Sequence, residues 1–438
     1  MPVVFIVLWA LVFFYFIKLD KEKIFNPIVW LFAGWSFSFG LYCFSGINYH
    51  YVLSVKVGFY YWGFAVMVAL GFFTSKKIKI IVGKERNVRV RPKMEYITKS
   101  TYKLYIAVVA FGALMVVFDI IRLNGISSDL HIRLNISIIG NLGILCSGLG
   151  LVLWLYECIR AIVNNQKIGM SAYLSVFCYI LPALITSGRQ SILIIGVASI
   201  VILIYSLGRI KKYKYWASLV APILIVGVLL IVYVTVISSS RTVVSNKISL
   251  FNFMYSSTMS EKTTVLLEKL GFLGFLKTIL MEIIYYYSHE LSMLEIMFRY
   301  YDGPMFWGMV QMSIVARNIP IGDIGSISDL MWKYLDSMSD AAGVYNHVWR
   351  SAAGSAYLDF GIVGALIFAF IVGYFLGKYF KKCKNEQNNY NMVGMGLMCA
   401  GMLFCMQFSP ISEAYWLYPV LWWVFLPFIE KFLIKKSI

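Results

Sequence analysis

Four arginines occupy places where lysine would have served as well for charge alone. Arg189 lies in "TSGRQS", a turn of a few residues between two strongly apolar runs. Arg241 lies in "SSSRTVVSNK", just past another such run, and Arg317 and Arg350 fall in a long polar-aromatic segment further on. A guanidinium is a rigid fork of donors that grips a phosphate or carboxylate at two points, which an ammonium cannot do. The same chain holds a small set of groups able to take a proton from a hydroxyl. They are Glu290 and His289 in "YSHEL", His347 in "VYNHVWRS", Asp359 in "YLDFG" and Glu413 in "SPISEAYW". Fixed cations for an anionic leaving group and a base for a hydroxyl nucleophile are the inventory of a group transfer from a phosphorylated donor.

The elements that must position these residues are membrane helices. Hydrophobic residues make up 60% of the 438-residue chain and charged residues only 14%, far from the balance of a soluble domain. Many separate apolar runs approach the roughly 20 residues that cross a bilayer. They are continuous, without the two-residue alternation of a membrane barrel. The spacing predicts helices over about 2–17, 27–46, 56–73, 104–121, 138–162, 170–187, 191–207, 216–237, 354–376, 391–408 and 415–430. The first run, "MPVVFIVLWALVFFYF", has no basic residue before it and no small-residue cleavage site after it, so it reads as an uncleaved helix. The seven cysteines form no CxxC or Cys/His metal spacing and read as small buried hydrophobes.

The net charge of +18 is explained by orientation better than by nucleic acid, because cytoplasmic loops collect Lys and Arg. The segment 74–103 carries ten basic residues, which places it inside; alternation then fixes every other loop. Inside loops so defined hold 26 of the 39 basic residues. The N-terminus is expected outside and the C-terminus inside. Seven of the 13 outer basic residues are arginine (Arg122, Arg133, Arg189, Arg241, Arg299, Arg317, Arg350), against five of 26 inside. All four histidines also fall outside. The chemistry is therefore expected on the outer face.

Three segments follow: a membrane bundle of about eight helices (1–237), a large outer loop (238–353) and a bundle of about three helices (354–438). A structureless loop of that length would be unusual, and this one is patterned. Residues 271–287 and 289–301 read as two helices, the first lying in the outer interface or dipping in and returning, the second with Leu291, Leu294, Phe298 and Tyr301 on one face. Glu295 and Arg299 stand at i, i+4 and can pair. "DGPMFWGMVQMSIVARN" (302–318) opens with Gly-Pro, a helix-start signal, and a short helix between loops follows. Nine basic and ten acidic residues leave the loop without an excess of charge. Its many aromatics, Trp349 among them, suit the C–H faces of sugars, and equally the aromatic belt of a membrane interface.

Nucleotide and metal signatures are absent: there is no P-loop, no dinucleotide GxGxxG, no HExxH and no D-x-D. The stretch "VYNHVWRSAAGSAYLDFGIVG" feeds the long loop into a membrane helix. It resembles the corresponding junction of bacterial O-antigen and capsule repeat-unit polymerases, the Wzy-type family, through Asn346, His347, Arg350, Asp359, Gly361 and Gly364. The arginines of "SGRQS" and "SSSRT", the helix number and the single dominant outer loop are similar as well.

The resemblance implies an all-α polytopic membrane protein of about 11 spans, GT-C-like, in the bacterial cytoplasmic membrane with its site facing the periplasm or outside. It implies an inverting, metal-independent glycosyltransferase without a cofactor. Its substrates would be undecaprenyl-diphosphate-linked oligosaccharides met in membrane lipid, and a chain-length regulator (co-polymerase) is an implied partner; nucleic acid is not. Asp359, His347, Glu290 and Glu413 are the catalytic candidates. Arg189, Arg241, Arg317, Arg350, His289, Asn346 and Trp349 are the diphosphate and glycan ligands. The related O-antigen ligases carry a His-Asn pair where this chain has Asn346–His347, so a ligase-like transferase stays open. A flippase is the non-enzyme alternative; ionisable groups are scarce at the expected helix centres, and no internal repeat is visible.

Overall fold

A computed structural model describes residues 26–44, 46–77, 97, 99–124, 137–164, 166–185, 190–207, 257–269, 274–344, 350–385 and 389–436. The fold is helical. The elements run α1 (Pro27–Phe44), β1 (Ile47–Tyr49), α2 (Val55–Lys77), α3 (Lys99–Asn124), α4 (Ile138–Val163), α5 (Met170–Ile185) and α6 (Gln190–Leu207). They continue with β2 (Ser257–Met259), α7 (Glu261–Lys269), α8 (Gly274–Tyr300), α9 (Ser313–Ala316), β3 (Pro320–Ile321), β4 (Gly325–Ser326) and α10 (Ile327–Ala342). Last come α11 (Ala352–Asn385), α12 (Asn389–Phe404) and α13 (Ala414–Lys436).

By length and composition, four stretches can cross a membrane: Val55–Ser75, Thr101–Leu123, Ile138–Val163 and Ala352–Cys383. Pro27–Cys43, Met170–Leu184 and Gln190–Leu203 are shorter apolar helices. The expected spans 391–408 and 415–430 coincide with α12 and α13, the latter interrupted by Pro419 and Pro427. The expected spans 2–17 and 216–237 lie outside the described residues.

Four local expectations are corrected. The two helices expected over 271–301 are one, α8, because nothing after Gly274 breaks the run and the Ser288 hydroxyl folds back onto the Ile284 carbonyl. The helix expected over 302–318 is confined to Ser313–Ala316, and turns occupy 307–312. The short helix expected after it is the 16-residue α10. Its start is fixed by a Ser326–Asp329 capping box, and Gly343 ends it in the left-handed conformation. Finally, the all-α reading needs two small antiparallel ribbons added, β1–β2 with Asn48 opposite Thr258, and β3–β4 with Pro320 opposite Ser326.

The chain divides into two compact units, each of three chain segments. In the first (1–72, 231–375 and 401–413), Trp35 of α1 stacks on Tyr61 of α2 at 4.7 Å and donates its indole N–H to the Tyr61 carbonyl at 3.1 Å. The Tyr60 hydroxyl donates to the Ala353 carbonyl at 2.8 Å, tying α2 to the start of α11. Further along, the two helices touch backbone to backbone. A methyl at Gly373 would lie 1.9 Å from the Val68 carbonyl oxygen, and one at Gly71 2.0 Å from that of Phe370. Small residues permit such approach where apolar burial alone gives little drive. Gly373→Ala must push two backbones apart, so a loss of about 1–3 kcal/mol is expected. It would be read as a lower melting temperature in detergent. Gly40→Ala in α1, which meets open space, should be neutral.

The second unit (73–230, 376–400 and 414–438) is held by similar means. The Trp154 indole donates to the Ser199 hydroxyl at 3.1 Å, and that of Trp422 to the Leu145 carbonyl at 2.7 Å. Asp119, fully buried near the end of α3, accepts from the Ser137 amide at 2.8 Å and from Arg122 at 3.0 Å. Ser137 caps α4, so this carboxylate joins one helix end to the next beginning. All seven cysteines are free thiols, five of them buried.

Candidate functional site

Every candidate residue that is described lies in the first unit. The helix α8 supplies the core of the site. Between 288 and 295 it buries Ser288, His289, Glu290, Ser292 and Glu295, a costly run unless each polar group is matched. One face is matched by the segment 49–54. Ser288 bonds the Tyr49 hydroxyl, Ser292 donates to the Tyr51 carbonyl at 3.1 Å, and Glu295 accepts the Ser54 amide at 2.8 Å. Glu295 also takes Arg299 at 2.7 Å, so the expected i, i+4 pair forms. That pair commits both side chains to structure.

Glu290 belongs to another face of α8, packed on the first turn of α11. There Phe298 stacks on Tyr357 at 4.3 Å, and the sulfur of Met297 comes within 3.2 Å of where a Gly354 Cβ would sit. Glu290 is 2% exposed, and neither carboxyl oxygen meets a donor at full hydrogen-bond geometry. Burial therefore holds its pKa well above the carboxylate range; the Ser351 amide and the Arg350 charge pull the other way without prevailing. Its neighbour His289 bonds the Tyr285 carbonyl through Nδ1 at 2.9 Å, which requires the proton on that nitrogen. Nε2 then faces Oε1 of Glu290 at 3.7 Å. A buried carboxyl and an imidazole thus lie side by side, beyond direct hydrogen-bond distance.

Arg350, just before α11, connects this pair to the turn 405–413. Its guanidinium lies 5.3 Å above the ring of Trp332, and the Ala352 amide donates to the Cys405 carbonyl at 2.8 Å. The charge of Arg350 acts on Glu413 as well as on Glu290, and Arg317 acts on Glu413 too. Glu413 closes a one-turn helix, Pro410–Ser412. Part of its surface meets solvent, yet the protein around it pushes its carboxyl up to about 7 against both arginines. Its folded pKa lies above the ordinary 4.5. Its stabilising contribution is therefore full below pH 4.5 and is lost as pH rises to about 7. Glu413→Gln should flatten the stability profile across that window by about 1–3 kcal/mol, the upper end being discounted for solvent screening. Thermal melts at stepped pH measure it.

Asp359 is fully buried and accepts the Val310 amide at 2.9 Å and the Gln311 amide at 3.0 Å, one on each carboxylate oxygen. This clamp holds the turn 307–312 against α11. Two residues on, Gly361 adopts φ 65°, ψ −170° and breaks the helix; only glycine adopts such a conformation cheaply. Trp307 is the single described non-glycine residue with positive φ, at 50°, a strain of about 1–3 kcal/mol that the clamp must sustain.

The structure therefore gathers Glu290, His289, Arg350, Arg317 and Glu413 in one neighbourhood, with Asp359 bracing the turn beside it. Arg189, Arg241, Asn346, His347 and Trp349 lie outside the described residues. Three contributors escaped the sequence reading. Gln311 accepts from the Ser409 hydroxyl, Ser313 donates to the Ser412 carbonyl at 2.9 Å, and Ser351 faces Glu290 through its amide. Single uncharged polar residues in apolar runs give no periodic signal to find them by. Among the described residues no group of three or more His, Cys, Asp or Glu side chains could hold a metal ion. No family model matches the chain, and neither do curated proteins or solved structures.

Proposed function

We propose that this chain polymerises lipid-linked oligosaccharide repeat units at the outer face of the bacterial cytoplasmic membrane, as a GT-C-like, metal-independent inverting glycosyltransferase. The growing glycan leaves undecaprenyl diphosphate and joins the terminal sugar hydroxyl of a new lipid-linked unit. The observation that carries this reading is one chain of charges: a buried carboxyl, Glu290, under the charge of Arg350, which with Arg317 also acts on Glu413.

The roles follow from where charge appears. The acceptor oxygen attacks the anomeric carbon and the bond to the diphosphate breaks, leaving its electron pair on the diphosphate. Arg350 and Arg317 meet that growing charge more strongly than they meet the ground state, which is what lowers a barrier. The hydroxyl proton passes to Glu290, whose raised pKa makes it a stronger base than a solvated carboxylate. His289 lies beside that carboxyl, its Nδ1 held by the Tyr285 carbonyl. Asp359 acts by position, holding the turn that leads to Arg317.

Deletion of the gene, followed by a gel of surface polysaccharide, tests the reading. Loss of long chains with single-repeat material retained is the expected result. Loss of all surface glycan, with lipid-linked units trapped inside, indicates a flippase and overturns it.

A further inference from the structure

Residues 303–316, "GPMFWGMVQMSIVA", carry no charge and are bounded by Asp302 and Arg317. They are mostly non-helical, with turns over 307–312. Irregular backbone does not survive in contact with lipid unless its polar groups are satisfied by the protein itself. Here they are. The Phe306 amide donates to Leu358 at 3.1 Å, Trp307 to the Asp359 carbonyl at 3.0 Å, Met309 to Phe306 at 3.0 Å and Met312 to Gly308 at 2.9 Å. The Val310 and Gln311 amides bond the Asp359 carboxylate, and the Gly308 amide is turned toward it. Six of the seven N–H groups from Phe306 to Met312 thus have an acceptor within the protein.

The side chains show the opposite of a water-facing turn. Trp307 is 75% exposed, and Met305, Met312 and Val315 are exposed too. Their surface is continuous with another apolar one. On α11 the residues Val363, Ile367, Ile371 and Phe375 are exposed at intervals of four, a single stripe along a stretch long and apolar enough to cross a membrane. Met305 packs over Gly361, two residues from the top of that stripe.

We propose that residues 303–316 form a wedge seated in the interfacial layer of the bilayer, with lipid as its partner and Trp307 at headgroup depth. Polar groups turned inward and apolar side chains turned outward suit that environment, and tryptophan is the residue favoured at its boundary. The wedge also sets a depth. Its far end carries Ser313, bonded to Ser412, and then Arg317. An arginine so placed stands where the head of any lipid-linked phosphate must lie. The proposal rests on membrane contact and needs no glycan chemistry, so it can fail or stand separately from the polymerase reading.

The test uses the full chain in nanodiscs of phosphatidylethanolamine and phosphatidylglycerol. Cys43 and Cys146, the two thiols that are not buried, are replaced by alanine. Trp307→Cys, Met305→Cys and, as control, exposed Asp323→Cys are each labelled with the environment-sensitive fluorophore NBD. Positions 305 and 307 are expected to emit to the blue of 323, to be quenched by lipids spin-labelled near the headgroup, and to be severalfold less open to iodide. Should Trp307→Cys fail to fold, position 305 decides alone. Emission and iodide access equal to the control overturn the proposal. So does blue emission without quenching by the spin-labelled lipid, which indicates burial against a second copy of the chain.

Discussion

Glu290→Gln is expected to lower polymerisation of purified lipid-linked repeat units by about 10²–10⁴-fold, the largest single effect in the molecule, while the protein stays folded. The second half of the expectation distinguishes a base from a structural carboxylate. Glu290 is buried with its pKa held well above the ordinary range. A group whose folded pKa is raised contributes stability below its unfolded pKa and loses it as pH rises towards the folded value. The wild-type protein therefore pays for Glu290 at neutral pH and above. The amide has nearly the same shape and no proton to lose, so Glu290→Gln should melt no lower than wild type at pH 7–8, and its stability should depend less on pH. Activity and stability part company: the rate collapses as the fold holds. The pH–rate profile adds an independent readout. The wild-type rate should climb with pH as Glu290 loses its proton, and the residual rate of the variant should lack that limb. If instead Glu290→Gln lowers the melting temperature and keeps its rate per folded molecule, Glu290 is a structural group and the assignment fails.

What could be read in the sequence, and what could not, follows from how each kind of information is encoded. Long helices are written in composition. The runs at 104–121 and 138–162 gave α3 and α4 within a few residues, because twenty apolar residues in a row have few other uses. The pairing of Glu295 with Arg299 was legible because it is local. The turn 307–312 was not. Gly303–Pro304 reads as a helix start, and the residues after it are good enough helix formers. The alternative that wins is supplied by Asp359, some 50 positions away, whose carboxylate offers those amides a better set of bonds than one more turn of helix would. Asp359 itself stood out in the sequence as an acid beside a glycine pair, yet nothing local distinguished a reacting carboxylate from one that clamps backbone. The cluster of Glu290, Arg350, Arg317 and Glu413 shows the same limit from the other side. Each residue was conspicuous as a charge in a sparsely charged chain, but their meeting depends on four stretches of chain that fold together, at α8, just after α9, at the start of α11 and at 405–413.

Arg350 carries the second large expectation, because it touches both halves of the proposed chemistry. Its guanidinium lies over Trp332 at 5.3 Å, and its charge favours the ionised forms of both Glu290 and Glu413. Arg350→Ala should reduce turnover by about 10²–10³-fold, the range for losing one fixed donor to a developing anion. The loss should fall on kcat more than on KM, because the diphosphate gains charge as the bond breaks. Arg350→Lys is the sharper variant. It keeps the charge near Glu290 but gives up the planar fork and its stacking on the indole. If the fork holds the diphosphate at two points, lysine should recover little of the rate. If a point charge suffices, lysine should be close to wild type, and two-point capture is wrong. Arg350→Ala also removes the cation that lowers the Glu290 pKa, so any residual pH–rate limb must move to higher pH, a displacement that mere loss of packing would not produce. In the Glu290→Gln background that displacement has nothing to act on. The double variant should then fall short of the product of the two single losses, the sign of two residues working on one step.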